Sequence, residues 1–272
     1  MIERNEPAFV ALLEKITRDR GFRCASYKDK CLQRRVAVRM RAKGTFTYRE
    51  YSAVLDDDPH EYERLLDALT INVTKFFRNW DVWSMLERNV MPEMWSLHDR
   101  KINVWSAGCS SGEEAYSAAI LFHRQAENAG EVNRLSRVKV LGTDIDGECL
   151  AAAQRAHYAA ASFVDTPPAI RERYFPLVAA LRSVVPQVRR MVHFENHDLL
   201  REPPPMQHLH MLICRNVIIY FDRRAQERLF GMFREALQPG GILVLGKVET
   251  LLGHAREWFT PVSSRERIFR RI

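Results

Sequence analysis

The apolar positions of the first seventy residues recur every three or four residues, which predicts helices. Two such stripes each share one helical face: Phe9, Leu12, Leu13 and Ile16, and then Tyr62, Leu65, Leu66 and Leu69. Gly21 and Gly44 are typical helix ends, and the run Asp56–Pro59 is a typical helix start. We therefore predict three or four short helices that form an all-helical domain over residues 1–70.

After about residue 100 the pattern changes to short apolar runs that alternate with helical stripes. Five runs have the character of strands: Ile102–Trp105, Val138–Thr143, Val192–Phe194, His210–Cys214 and Ile242–Leu245. This alternation predicts a doubly wound α/β domain over residues 101–272, with a parallel sheet between two layers of helices. Residues 71–100 are then a linker with a first helix. Ligands of such sheets bind beyond the carboxyl ends of the strands, at the switch point.

One stretch interrupts the alternation. Between Tyr174 and Phe194, short apolar runs are broken by Pro176 and Pro186. We predict a small antiparallel β insert at about residues 174–194. A loop with one poor helix is the alternative interpretation.

The composition is that of an ordinary globular protein, with 46% hydrophobic and 28% charged residues among 272. There is no apolar run long enough to span a membrane, and the first residues do not have the apolar core of a secretory signal. The five cysteines are scattered, without a C-x-x-C pair, and neither they nor the histidines have metal-ligand spacing. We therefore expect a cytoplasmic monomer that binds no metal and does not insert into a membrane.

The positive charge is concentrated in one segment. Lys15 to Arg49 contains twelve basic and two acidic residues, whereas the remainder of the chain is slightly acidic. Such a segment suits nucleic acid, a membrane surface or an acidic protein face, although a solvated helix face is an equal alternative. On a helix over 27–43, one face would carry Lys28, Arg35 and Arg39, and a second cluster would contain Lys30, Arg34 and Arg41.

A loop of small residues, Ser106–Gly112, follows the first predicted strand and leads to Glu113 and Glu114. Small residues let the backbone approach a ligand at a helix N-terminus. Two carboxylates suit a pyrophosphate poorly, but they suit a ligand with an amino group and a sulfonium, which favours S-adenosylmethionine. Asp144, at the end of the second strand, could bind ribose hydroxyls. A helix cap is the alternative role for Asp144, and favourable helix-end charge is the alternative for the two glutamates.

Four stretches resemble the chemotaxis receptor glutamate methyltransferases (CheR type). They occur in the family's order along nearly the whole chain: Asn72–Arg78 (NVTKFFR), Val104–Glu114 (VWSAGCSSGEE), Thr143–Asp146 (TDID) and Cys214–Phe221 (CRNVIIYF). The resemblance implies an enzyme that uses S-adenosylmethionine to form glutamate methyl esters on the cytoplasmic helices of chemoreceptors. It also implies a helical N-terminal domain and a β insert, as predicted above.

The resemblance also assigns residue roles. Asn72, Thr74 and Arg78 would contact the cofactor from the linker, Glu113 its amino group, and Asp144 its ribose. Four further cofactor contacts are implied after the third and fourth strands: Asp198, Leu199, Asn216 and Val217. Tyr220 and Arg78 would face the methyl-transfer site, and the Arg78 fork would align the acceptor carboxylate. The receptor would lie on basic residues of the N-terminal domain: Lys28, Arg35, Arg39 and Arg41.

The sequence departs from the family at Gly246–Glu249, where GKVE replaces the usual G-H-S-E run. The predicted insert does not carry the glycine-rich turn of members that grip a receptor tether, so we expect a tether-independent enzyme. Two other functions remain open: a methyltransferase whose basic helices bind nucleic acid, and a module that binds S-adenosylmethionine without turnover.

Overall fold

The computed structural model describes residues 7–70, 73–97 and 101–272. Asn72, a predicted cofactor ligand, lies outside the described residues. Contacts divide the chain into two compact units. The first contains residues 1–71 together with Tyr220–Gln226, and the second contains Asn72–Ile219 and Glu227–Ile272.

The first unit is helical, as predicted. Its four helices are α1 (Pro7–Arg20), α2 (Asp29–Lys43), α3 (Tyr48–Asp57) and α4 (Pro59–Leu69). Gly44 ends α2 in the left-handed conformation, with a φ of 67°, and the Asp58 side chain caps α4 by accepting from the backbone N–H groups of His60 and Glu61. The predicted stop and start signals are therefore confirmed at these positions.

The predicted apolar stripes of α1 and α4 pack into one core. Leu12, Ile16 and Leu65 are at most 1% exposed. They share this core with Val36 of α2 and Tyr51 of α3. Burial of these side chains, at about 1.5–3 kcal/mol for each large residue, is the main force that holds four short helices together.

The second unit begins with helical segments and continues as alternating strands and helices. Its helices are α5 (Trp80–Met85), α6 (Met91–Ser96), α7 (Glu113–Asn128), α8 (Gly147–Arg155), α9 (Pro168–Tyr174), α10 (Pro186–Arg189), α11 (Arg223–Ala236, which begins among the residues grouped with the first unit) and α12 (Ala255–Trp258). Leu86–Val90, between α5 and α6, forms a π-helical turn.

Seven strands form the main sheet, in the order β6-β2-β1-β7-β8-β10-β9. They are β1 (Ile102–Ala107), β2 (Val138–Asp144), β6 (Val192–Asn196), β7 (Leu209–Cys214), β8 (Leu237–Leu245), β9 (Phe259–Ser263) and β10 (Ile268–Arg271). The first five strands of this order are parallel, and β10 and β9 pair antiparallel. The predicted doubly wound fold is confirmed, and its switch point lies between β1 and β7.

A second sheet has three short antiparallel strands: β3 (His157–Tyr158), β4 (Leu177–Val178) and β5 (Leu181–Ser183). The sheet differs from the stretch 174–194 predicted for it. It includes His157–Tyr158, which is too short to be predicted as a strand from its sequence. Val192–Asn196 instead belongs to the main sheet.

Candidate functional site

Five loops follow the carboxyl ends of the parallel strands and meet at one edge of the main sheet. The loops after β1 and β2 are joined directly, because the Thr143 carbonyl accepts hydrogen bonds from the N–H groups of Gly108 and Cys109. The loop after β6 joins them through His197, whose N–H donates to the Asp144 carbonyl at 3.0 Å. The predicted site residues of these loops are therefore neighbours in space.

Gly108 allows the loops after β1 and β7 to approach each other closely. A Cβ at this position would lie 2.6 Å from a methyl carbon of Val217, and Gly108 has a φ of 75°. Both the space and the backbone conformation therefore require glycine. This contact places Val217, a predicted cofactor neighbour, beside the small-residue loop.

Asp144 holds the loop after β1 with its side chain. One carboxylate oxygen accepts from the Ser110 N–H at 2.7 Å, and the other accepts from the Asp146 N–H at 3.0 Å. Burial raises the pKa of Asp144 in spite of these bonds. The alternative role as a helix cap belongs to Asp146, whose side chain accepts from the first N–H groups of α8. Each Asp144 oxygen keeps a lone pair for a further donor.

Glu113 is 2% exposed at the start of α7. Its carboxylate accepts from the hydroxyl of Ser111 at 2.7 Å and from that of Ser162 at 3.3 Å. Burial raises the pKa of Glu113. A cationic group beside this carboxylate would offset the cost of its burial.

The linker segment Phe76–Asn79 is fixed to the α/β unit. Both phenylalanines are fully buried. The N–H groups of Phe76, Phe77 and Asn79 donate, respectively, to the Ser162 carbonyl, the Ser117 hydroxyl and the Asp165 carboxylate. The two aromatic residues thus anchor the linker, and Ser162 connects this segment to Glu113.

Arg78 lies between two residues with left-handed backbone conformations, Phe77 with a φ of 53° and Asn79 with a φ of 59°. The Arg78 carbonyl accepts from the indole N–H of Trp83 at 3.2 Å and from the guanidinium of Arg215 at 2.9 Å. Arg78 as a whole is half-buried, and its guanidinium donates an exposed hydrogen bond to the Val73 carbonyl at 2.9 Å. The backbone of Arg78 is thus held firmly, while its side chain has further donors to offer.

Arg215 and Glu114 form a buried ion pair at the same edge, with 3.7 Å between nitrogen and oxygen. Glu114 also accepts from the Ser106 hydroxyl at 2.9 Å. Burial raises the pKa of Glu114 to about 7, although the Arg215 charge opposes this shift. Arg215 was not among the predicted site residues, although it lies between Cys214 and Asn216 at the end of a strand.

Glu249 organises the loop after β7. Its carboxylate is 4% exposed and accepts four backbone N–H groups, at 2.6–3.3 Å: those of Gly246, Asn216, Val217 and Ile219. Glu249 was noted only as part of a run that departs from the family. Its side chain holds Asn216 in a left-handed conformation, with a φ of 62°.

The remaining predicted residues are placed as follows. The Asp198 side chain accepts from the Leu200 N–H at 2.8 Å, so it shapes the turn after β6 that contains Leu199. Thr74 is half-buried in the linker. Tyr220 groups with the helical unit, where its carbonyl accepts from the Lys28 N–H at 2.9 Å. The cofactor and catalytic roles of these residues stay predictions.

The basic face of α2 differs in detail from its prediction. The Arg39 guanidinium donates twice to Glu61, at 2.9 and 2.6 Å, and Arg35 donates to the Ala68 carbonyl at 3.4 Å. These two arginines thus have partners inside the unit and are only half exposed. Lys30, Arg34 and Arg41 are exposed, as is Lys28.

The site has the acceptors that S-adenosylmethionine requires. The ligand's donors are an ammonium group, ribose hydroxyls and an adenine amino group, and the sheet edge presents the carboxylates of Glu113 and Asp144. A third acceptor is the Asn216 side-chain oxygen, which is buried and has no hydrogen-bond partner among the residues that the structure describes. Since buried polar atoms are normally hydrogen-bonded, this oxygen points to a donor on a ligand. Gly108 leaves the backbone beside Val217 without a side chain.

The described ranges contain no cluster of three or more His, Cys, Asp or Glu side chains that could hold a metal ion. No helix in the described part of the chain is both long enough and apolar enough to span a membrane.

The comparisons with known proteins match the chain to two family models that meet near residue 71, whereas its contacts also group Tyr220–Gln226 with the helical unit. Residues 7–70 match the family described as "CheR methyltransferase, all-alpha domain", and residues 72–268 match "CheR methyltransferase, SAM binding domain". The second match alone spans well over half of the chain.

Similar proteins from several bacteria carry one description, "Chemotaxis protein methyltransferase". The protein of Listeria monocytogenes is 30% identical over 255 residues, which are 94% of this chain and 94% of the relative. That of Klebsiella aerogenes is 30% identical over 249 residues, 88% of this chain and 81% of the relative. That of Borreliella burgdorferi is 26% identical over 265 residues, 94% of this chain and 92% of the relative.

Proposed function

The chain belongs to the CheR methyltransferase family, and we propose that it uses S-adenosylmethionine to form γ-methyl esters on glutamates of chemoreceptor cytoplasmic helices. The observation that carries this proposal is the edge of the sheet. The buried carboxylates of Glu113 and Asp144 lie there with the Asn216 amide oxygen, which has no hydrogen-bond partner among the described residues. Arg215, from the same edge, fixes the backbone of Arg78. The names of the relatives support a chemoreceptor as substrate. Nothing in them favours a nucleic acid.

Three acceptors of the chain would hold the cofactor. Glu113 would accept from the ammonium group, Asp144 from the ribose, and Asn216 from a further donor. When bound, the cofactor supplies a methyl group on a sulfonium, which is a good leaving group. Glu113 and Asp144 each give up part of a hydration shell on folding, so donors on the ligand would be bound strongly.

The reaction requires that the protein align the acceptor carboxylate with the methyl group, and it requires no proton transfer. A glutamate side chain is ionised at neutral pH, so no general base is needed. Arg78 can present a planar fork that matches a carboxylate, and its backbone is fixed by Trp83 and Arg215. We propose that Arg78 orients the acceptor carboxylate towards the methyl group, which is an effect of orientation on the barrier.

The exposed basic residues of α2 offer a surface for acidic receptor helices. Lys30, Arg34 and Arg41 are exposed along this helix, whereas Arg39 is paired with Glu61. We propose that the exposed cluster gives the larger part of the electrostatic attraction. Such attraction mainly raises the rate of association and is weakened by salt.

Substitution of Arg78 tests the alignment role. Arg78→Lys keeps the charge but loses the fork, so we expect kcat for methyl-ester formation to fall by one to two orders of magnitude, about 1.4–2.7 kcal/mol of barrier. Calorimetry should show unchanged affinity for S-adenosylhomocysteine. Turnover at the wild-type rate would disprove the role, and a loss confined to affinity would make Arg78 a cofactor ligand only.

A further inference from the structure

The guanidinium of Arg215 touches both the linker and the first turn of α7. One terminal nitrogen donates to the Arg78 carbonyl at 2.9 Å and to the Asn79 side-chain oxygen at 3.1 Å. The other lies 3.7 Å from a Glu114 oxygen. We propose that Arg215 is a positioning residue, which holds Arg78 where it can align the acceptor carboxylate. This inference rests on the function proposed above.

Arginine is the residue type that this position requires. Its two terminal nitrogens are held apart in one plane, so a single side chain can reach a carboxylate on one side and two oxygens on the other. The plane lies near the Trp83 ring, with 5.7 Å from the guanidinium carbon to the ring centroid. A lysine at the same position has one nitrogen, which cannot reach both sides.

The backbone that Arg215 contacts is in an unfavourable conformation. Phe77 and Asn79 both have positive φ, which costs about 1–2 kcal/mol for a residue other than glycine. The carbonyl of Arg78 lies between them and accepts from Arg215 and Trp83. Without the Arg215 bond the segment could relax to an ordinary conformation, and this would move the Arg78 side chain.

The negative charge of Glu114 stabilises the buried guanidinium of Arg215. Both side chains are almost completely buried, so the guanidinium depends on Glu114 for compensation. The other charges that act on Glu114 are those of Arg78 and Glu249, and Ser106 donates to it. Because burial raises the pKa of Glu114 to about 7, protonation below neutral pH should weaken the hold on Arg78.

The first test compares the buried Arg215 with the half-buried Arg137. Arg215→Lys should lower kcat about tenfold or more and change S-adenosylhomocysteine affinity by less than about threefold. Arg137→Lys is the matched control, since Arg137 also donates to two backbone carbonyls and lies over an indole, at residues 95–97. The control should lose similar thermal stability with kcat unchanged. Equal kcat in the two variants would overturn the proposal.

Two readouts separate positioning from general destabilisation. If Arg215 acts through Arg78, the double variant Arg78→Lys, Arg215→Lys should be no slower than Arg78→Lys alone. Glu114→Gln should be about tenfold slower than wild type at pH 8 and nearly equal to it at pH 6, where wild-type Glu114 is protonated. Multiplicative losses in the double variant, or a Glu114→Gln effect that is the same at both pH values, would overturn the proposal.

These outcomes can be told apart from a failure of the proposed function. Should wild type form no methyl ester on receptor, the function fails before any variant is compared. Should Arg215→Lys not fold, Glu114→Gln carries the test, because it keeps the side-chain shape and the acceptor for Ser106.

Discussion

Asp144 binds two backbone N–H groups and still has lone pairs for a ligand. Its position after an apolar strand allowed either a ligand role or a helix cap, and Glu113 likewise had two interpretations. The ligand roles of both residues stay predictions. Arg215 and Glu249 were not predicted, because their roles depend on partners 137 and 33 residues away in the chain. A pattern of neighbouring residues cannot contain such contacts.

Removal of the Asp144 side chain tests its ligand role. Asp144→Ala should weaken S-adenosylmethionine and S-adenosylhomocysteine alike, by at least about tenfold, since both carry the ribose and hydrogen bonds to a charged acceptor contribute about 1.5–3 kcal/mol. Titration calorimetry measures both affinities. Asp146→Ala is the control: it removes the cap of α8, at about 1 kcal/mol of stability, without removing a ligand acceptor. Equal affinities in the two variants would remove Asp144 from the site.

At the scale of elements, the five parallel strands and the helices α7, α8 and α11 followed from apolar periodicity and the turns between them. The antiparallel strands β9 and β10 were not predicted. The small sheet was harder to predict, because β3 has only two residues and pairs with β5 across a 3₁₀ turn, α9 and β4. The loops of the site were located by the rule that parallel strands end at one edge. Their conformations depend on side chains such as Glu249 that reach from one loop to the next.

The loop after β7 should lose its order when Glu249 is truncated. Glu249→Ala leaves four N–H groups without their acceptor, and we expect about 3–5 kcal/mol of lost stability, or a fall of about 6–20 °C in Tm. Differential scanning calorimetry measures this change. Glu172, an exposed carboxylate paired with Arg182, is the control, and Glu172→Ala should cost less than about 1 kcal/mol. A Glu249→Ala protein as stable as the control would show that water replaces the carboxylate.

At the scale of the whole molecule, the sequence predicted a basic helical part followed by an α/β part. The family matches change from one model to the other between residues 70 and 72, whereas the contacts also group Tyr220–Gln226 with the helical unit. The charge excess near the N-terminus could be counted from the sequence. The sequence could not show which basic residues have partners inside the helical unit, because the Arg39–Glu61 pair joins α2 to α4. Although burial favours the neutral acid, hydrogen bonds from Arg39 and Tyr51 lower the pKa of Glu61.

The two classes of basic residue should respond differently to substitution. Arg34→Ala and Arg41→Ala should raise the KM for receptor at low salt, and the increase should vanish near 1 M salt, where charges are screened within about 3 Å. Arg49→Ala, an exposed arginine on α3, is the control. Arg39→Ala should instead destabilise the helical unit by about 3–5 kcal/mol, because it removes the bidentate partner of a buried carboxylate. Among the described residues, Glu61 would then keep only the Tyr51 hydroxyl and Lys43, whose nitrogen lies 3.8 Å away. Salt-independent kinetics in the α2 variants would contradict the electrostatic role.

The most direct measurement locates the transferred methyl group. Wild-type protein is incubated with S-adenosylmethionine and a purified receptor cytoplasmic fragment, and the products are mapped by peptide mass spectrometry before and after mild base. We predict methyl groups on glutamate side chains of acidic helices, removed by base as esters are. Base-stable methyl groups on another residue type, or transfer to added RNA or DNA but not to the receptor, would contradict the account.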